Sequence, residues 1–203
     1  MPRPSHSCTP HASHSSLLEL VESVGRLAAA ERRRRAIAAG LQPVHVQALE
    51  YLRRCNRYSN TPQALTDYLG LTKGTVSQSL QLLERKGLIV RLQDAADRRV
   101  LRLALTAAGT AMTENAGTPE EWRTALAAQP SAAIDDATYT LARLLTDMQR
   151  QRGGQSFGVC RSCRHFALDA PGEYRCSLTG ESLDADDSLR ICREHTWPVT
   201  QTG

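Results

Sequence analysis

Aromatic side chains are scarce in this 203-residue chain: two Phe, two Trp and five Tyr make up 4% of it. Any core is therefore built mainly from aliphatic residues, and the 41% hydrophobic content is enough for one. No stretch of eighteen apolar residues exists, so no membrane span is expected. No apolar run follows the basic residue near the N-terminus, so a secretory signal is not expected and a cytoplasmic location is the default. There is no nucleophile elbow, no phosphate-binding glycine loop, no pair of catalytic carboxylates and no internal repeat. The expectation is a protein that is not an enzyme.

The length suits one medium domain with a small appendage. The net charge of +4 hides an asymmetry: residues 1–153 hold 20 Lys/Arg against 14 Asp/Glu, and residues 154–203 hold 5 against 7. The longer part favours a polyanion and the tail does not. Four of the six cysteines fall between Cys160 and Cys192, a clustering that in a cytosolic chain points to metal rather than disulfides. Cys8 and Cys55 lie apart and read as incidental or structural.

Residues 1–15 are rich in Ser, Pro and His and are expected to be a disordered tail, in which His6, His11 and His14 are solvated. Residues 16–39 read as a helix, because Leu17, Leu20, Val21, Val24, Leu27 and Ala28 recur at spacings of three and four. The basic run Arg32–Arg35 closes that helix, read first as a solvated end and, as the alternative, as a contact to DNA. Helices follow at 43–54, with Pro43 in the first turn, and at 61–69. Thr72 caps a helix that runs to about Lys86, where Gly87 stops it. Residues 88–92 and 99–105 read as two strands around the turn Asp94-Ala-Ala-Asp97. A further helix starts at Thr106, and others occupy 118–129 and 131–152. The last carries a seam of Ile134, Ala137, Leu141, Leu144 and Met148, read either as intramolecular core or as a dimer interface. Gly153-Gly154 is the expected linker to a Cys-rich module at 153–203. The fold class is mainly α, a winged helix-turn-helix with an α-helical dimerisation region and that small module.

At 100° per residue, Val76, Leu80 and Leu83 share the packed side of the 72–86 helix. Gly74, Gln78, Gln81 and Arg85 point the other way, flanked by Lys73 and Ser77. Gln hydrogen-bonds adenine in bidentate fashion, Ser reaches several base edges, and Gly74 permits close approach. Arg85 and Lys86 sit where phosphates would pass. The hairpin adds Arg91, Arg98, Arg99 and Arg102, with Asp97 placed to hold one of them, and a basic tip suits the negative potential of a narrow minor groove. The bland reading of each part is an ordinary solvated surface, and their order along the chain argues against it.

The stretch Thr75–Gly109, TVSQSLQLLERKGLIVRLQDAADRRVLRLALTAAG, resembles the MarR family of bacterial winged-helix regulators. It carries a GLI-x-R strand, a D-x-x-DRR wing and an LT-x-x-G helix start, and flanking helices extend the resemblance over about 16–152. The resemblance implies a homodimer on a pseudo-palindromic operator of double-stranded DNA, often repressing nearby genes. Carried over, the recognition positions are Lys73, Gly74, Ser77 and Gln78, and the wing positions Asp97, Arg98 and Arg99. The family often binds small ligands such as phenolics, but no pattern here locates such a pocket.

The tail reads Cys160-x2-Cys163-x12-Cys176-x15-Cys192, with His195 close behind. A pair of cysteines two residues apart opens many zinc and iron–sulfur sites. The order pair, single, single is similar to high-potential iron–sulfur proteins and to small clusters of enzyme subunits, which implies one [4Fe–4S] cluster. Zn2+, with His195 paired to Cys192, and reactive thiols without metal remain alternatives. Phe157, Phe166, Tyr174 and Trp197 are placed to exclude water from such a cluster, or simply to form a mini-core. The expected function is a DNA-binding regulator whose binding is modulated by redox or iron status. A regulator with structural zinc, and an electron-transfer or enzyme-associated cluster protein using the winged helix for protein contacts, are the alternatives.

Overall fold

The computed structural model describes residues 14–95, 97–115, 119–151, 156–170 and 172–198. His6, His11 and Cys8 of the expected tail and the Gly153-Gly154 linker lie outside the described residues. The chain divides into two units, one ending at Pro43 and the other beginning at Val44. The first holds α1 (His14–Ala38), which starts two residues before the position its apolar spacing predicts. Leu17, Leu20, Val21, Val24 and Leu27 are all exposed, and Ala36 is the helix's buried residue. Gly40 ends it in left-handed conformation (φ 61°), and the Leu41 N–H returns to the Ala36 carbonyl at 2.8 Å.

Past its first residue, α2 (Pro43–Arg54) lies in the second unit, followed by α3 (Pro62–Leu69) and α4 (Lys73–Arg85). Thr61 caps α3 by accepting from the Ala64 N–H, Pro62 fills the first turn, and Gly70 leaves in left-handed conformation (φ 63°). That three-residue elbow allows Thr72 to cap α4 by accepting from the Thr75 N–H at 3.2 Å. The core is mostly aliphatic, with Tyr51 of α2 fully buried within it. Ala48, Leu49 and Leu52 of α2 are buried, as are Ala64 and Leu65 of α3 and Val76, Leu80 and Leu83 of α4. Ile89 and Leu103 of the wing strands join them in the buried set. Burial of one such side chain contributes on the order of 1.5–3 kcal/mol.

The wing is β1 (Ile89–Gln93) paired antiparallel with β2 (Leu101–Leu105), in register from Ile89↔Leu105 to Gln93↔Leu101. Next come α5 (Ala107–Asn115), α6 (Glu120–Ala127) and α7 (Ser131–Gln151). Thr106 starts α5 by accepting from the Gly109 N–H at 3.1 Å, while its hydroxyl donates to the Gly87 carbonyl at 2.6 Å. Gly109 lies against the Leu88 backbone so closely that a Cβ there would collide with the Leu88 carbonyl oxygen. α6 and α7 bury no residue among those described. The α7 seam is therefore not intramolecular core: Leu141, Leu144 and Met148 are exposed, with Tyr139 and Leu145 beside them.

The tail folds into short pieces. β3 (Gly158–Val159) pairs with β7 (Ile191–Cys192), and a 3-10 turn covers Cys160–Ser162. β4 (Phe166–Ala170), β5 (Glu173–Cys176) and β6 (Ser182–Leu183) form a three-stranded antiparallel sheet, and α8 (Ala185–Ser188) leads back to β7. Cys160, Cys192 and Leu183 make a small buried cluster, against which Phe166, Tyr174 and Cys176 pack. The tail rests on the loop between α2 and α3. Cys55 bridges to Ile191, the Asn56 N–H donates to the Ile191 carbonyl at 2.9 Å, and Arg193 pairs with Asp67 of α3 at 3.0 Å.

Candidate functional site

The amphipathic division of α4 is as its periodicity predicts. Val76, Ser79, Leu80 and Leu83 face inward, while Lys73, Gly74, Ser77, Gln78, Gln81 and Arg85 are exposed together along the outer side. Lys86, just past the helix, is exposed as well. Ser79 has no freedom outward, since its hydroxyl donates to the Thr75 carbonyl at 2.9 Å. A Cβ at Gly74 would meet nothing nearer than Thr72 Oγ1 at 3.9 Å. No packing inside the chain therefore requires glycine there, and its effect is to leave the N-terminal half of the outer face flat. A polar, flat helix face about two turns long is the shape that reads base edges in a major groove.

The wing's arginines separate into two kinds. Arg98 is exposed at the hairpin tip and forms no ion pair among the described residues. Arg99 is also outward (92% exposed), but Asp97 holds it through Nε at 3.1 Å and Nη2 at 3.2 Å. The same guanidinium keeps the Asp97 carboxyl below its ordinary range. Arg91 and Arg102 depart from their expected place on the DNA-facing surface. Arg91 is half-buried and pairs with Glu84 of α4 at 3.1 Å. Arg102 pairs with Asp94 at 2.7 Å and donates to the Arg57 carbonyl at 2.7 Å. Their charges are spent on holding the hairpin to α4 and to the α2–α3 loop. Of the expected turn Asp94-Ala-Ala-Asp97, Ala96 lies outside the described residues. Asp94 still organises it by accepting from the Asp97 N–H at 3.0 Å.

Cys160, Cys163, Cys176 and Cys192, dispersed over 33 residues of sequence, line one partly open cavity of about 60 Å3 together with apolar side chains including Phe166 and Leu183. That is several times the space one water needs, in a setting with little to hold water. Hydrogen-bond donors are aimed at the sulfurs. The Thr196 N–H donates to Cys163 Sγ at 3.3 Å, and Asn56 Nδ2 reaches Cys160 Sγ at 3.8 Å. Cys160 donates to Cys192, and that hydrogen bond pulls the Cys192 thiol down while raising that of Cys160. Asn56, the Glu194 N–H and Ser59 favour the Cys192 thiolate further. Among the described residues, no three His, Cys, Asp or Glu are grouped closely enough to hold one metal ion. The four cysteines expected to ligate a cluster or zinc thus share one cavity, with no metal-holding group among the described residues.

His195 is not part of that cavity wall. It is buried, with Nδ1 bonded to Ser156 Oγ at 2.7 Å and Nε2 to Ser162 Oγ at 3.1 Å. Burial lowers its pKa. Gly158 lies against the ring and leaves no room for a Cβ. With both nitrogens engaged, His195 is a packing and hydrogen-bonding residue, contrary to its pairing with Cys192 in the zinc alternative. The aromatic residues also depart from expectation. Phe166 does line the cavity and stacks with Tyr174 at 5.3 Å. Trp197 packs edge-on against His195 instead, at 4.3 Å. Phe157 takes a left-handed backbone (φ 32°) and places its ring against Tyr51 and Tyr68 of the winged-helix part. Strain of this kind persists where packing over-determines it. The sequence reading missed Asn56 and Ser59, because nothing local marks a loop residue whose partners lie over 100 residues away.

Residues 39–100 match the model of the MarR family. The chain is similar to a MarR transcriptional regulator from Methanosarcina mazei, at 20% identity over 67% of this chain and 98% of that one, with a TM-score of 0.55. It is also similar to the S. aureus MepR–DNA complex (22% identity, 68% and 97% covered, TM-score 0.53). E. coli MarR in its apo form matches at 20% identity over 64% and 96%, with a TM-score of 0.50. No curated protein matches the chain by sequence. The fold is mainly helical with small sheets, a MarR-like winged helix. Among the described residues no helix is long and apolar enough to cross a membrane.

Proposed function

We propose that this chain is a MarR-family transcriptional regulator that binds duplex DNA as a homodimer and carries an iron–sulfur cluster in its tail. Its work is binding rather than catalysis. The observation that carries the reading is the face of α4. Lys73, Gly74, Ser77, Gln78, Gln81 and Arg85 are exposed together, next to a wing whose tip presents Arg98 and Arg99. The α4 residues would enter the major groove and the wing would reach phosphate or minor groove, with Asp97 orienting Arg99 beforehand. S. aureus MepR, which shares the fold, has been seen in complex with DNA. The exposed seam of α7 supplies a surface for a second copy, and a two-fold pair reads a pseudo-palindrome.

The cluster reading rests on four thiols around one apolar cavity, with N–H donors on their sulfurs. Cys160, Cys163, Cys176 and Cys192 would be the ligands, Phe166 would exclude water, and the donors from Asn56 and Thr196 would favour the thiolate state. When bound, such a group supplies a redox-responsive, oxidant-labile centre whose loss alters operator affinity. Protein purified without air should contain iron and acid-labile sulfide in equal amounts. Serine at any of the four cysteines should remove most of both, while His195→Ala retains them. About one zinc per chain and no visible colour would replace the cluster by a zinc site. Operator affinity that moves less than about twofold on bleaching, a coupling below ~0.5 kcal/mol, would leave the centre structural.

A further inference from the structure

Asn56 is 2% exposed, and both polar atoms of its amide are engaged. Its Nδ2 faces Cys160 Sγ and favours the Cys192 thiolate. Its Oδ1 accepts from the N–H groups of Tyr58 and Ser59 and, at 2.7 Å, from the Ser59 hydroxyl. Ser59, fully buried, accepts in turn from the Arg193 N–H at 2.7 Å, while its carbonyl takes the Tyr51 hydroxyl at 2.8 Å. The other side of the same loop belongs to the wing. The Asn60 carbonyl accepts from Leu103 of β2 at 2.7 Å. Arg102 donates to Arg57 O and, at 3.3 Å, to Asn60 Oδ1, and the next residue, Thr61, is the N-cap of α3. Six residues of loop thus touch the cysteine sulfurs on one side, and both β2 and the start of the helix-turn-helix on the other.

We propose that the loop at residues 55–60 couples the cysteine cavity to the DNA-reading elements, with Asn56 as a positioning residue for the sulfurs and Arg102 as the anchor of the wing. This rests on the DNA-binding reading above and specifies how its tail acts. A metal-bound thiolate is a charged acceptor that holds the Asn56 amide; a free thiol is a weak one. The amide cannot swing away alone, because its other end organises Tyr58 and Ser59. A change at the sulfurs therefore moves the loop as a body, and with it the anchoring of β2 and the cap of α3. The route runs through α2–α3 and the wing, without the α7 seam.

The test is a double-mutant cycle read as operator affinity, on the full chain kept free of air. Cys192→Ser is introduced into the wild type and into Arg102→Gln, whose charge lies at the wing end, away from the sulfurs. Because Cys192→Ser risks loosening the tail, the same comparison is made with intact cysteines, before and after a chelator. In the wild type, loss of the centre should change affinity roughly tenfold or more; in Arg102→Gln the change should shrink to about twofold or less. Equal changes in both backgrounds would overturn the coupling, and so would no change in the wild type. Iron and sulfide analysis of the wild type judges the cluster separately. A chain free of metal that still gives a non-additive cycle keeps the coupling and loses the cluster. Asn56→Asp retains the acceptor for Ser59 and removes the donor. It should shift the visible sulfur–metal absorption while retaining metal; an unmoved band would remove Asn56 from the account.

Discussion

Arg98 offers the most direct measure of the wing. It sits exposed at the hairpin tip with no ion pair among the described residues, so its charge is available to a phosphate. Arg98→Ala removes one such charge per chain and two per proposed dimer. Each neutralised phosphate contributes about 0.9 to the slope of log affinity against log salt, so the variant's slope should be shallower by about 1.8. Between about 50 and 200 mM salt, the wild type's affinity should then fall roughly twelvefold further than that of the variant. Fluorescence anisotropy with a labelled operator at five or six salt concentrations measures this. Arg91→Gln is the matched comparison: the same charge is lost from the same hairpin, but Glu84 already engages it. Its slope should move by roughly half a unit or less. Equal slopes for the wild type and Arg98→Ala would refute the placement of the wing on DNA. A large change for Arg91→Gln would show that ion pairing inside the hairpin does not decide which charges reach the backbone.

Other consequences are separately measurable. Leu144→Glu puts a charge on the exposed α7 seam and should give a monomer of intact fold with weak operator binding. Light scattering decides it, and a monomeric wild type at micromolar concentration would contradict the dimer. Gly109→Ala drives a methyl into the Leu88 carbonyl. It should lower stability by about 1–3 kcal/mol, the usual cost of overpacking, or more since backbone must move. Thermal melting checks this, and a variant as stable as the parent would mean α5 has room to shift.

The winged helix was legible because its signals are local. Thr72, the three- and four-residue spacing of Val76, Leu80 and Leu83, and Gly87 sit next to one another in the chain. The resulting helix, Lys73–Arg85, ends within a residue of its expected bounds. The strands were placed to within a residue or two, because their limits depend on which backbone pairs close around Asp94 and Asp97. What was not legible arises at long range. No spacing rule separates the outward Arg98 from Arg102, since Arg102's partners Asp94, Arg57 and Asn60 are defined only once the hairpin has packed. Likewise His195 looks like a ligand beside Cys192, and only the folded chain brings Ser156 and Ser162 to its two nitrogens. The cysteines were singled out by spacing; that their cavity adjoins Asn56 was not, because 104 residues separate Asn56 from Cys160.

The seat of the tail on Ser59 has a consequence in time. Ser59 and the Arg193 N–H that it receives are 134 residues apart. At ribosomal rates of about 5–20 residues per second, Ser59 is made roughly 7–27 s before its partner. Helices form and hairpins close in microseconds, so the winged-helix half has ample opportunity to fold while Cys55, Asn56 and Ser59 are still bathed in water. The nascent protein therefore passes through a period in which a winged helix exists without its tail. During that period the α2–α3 loop has to hold its shape without the contacts that Ile191 and Arg193 later make to it.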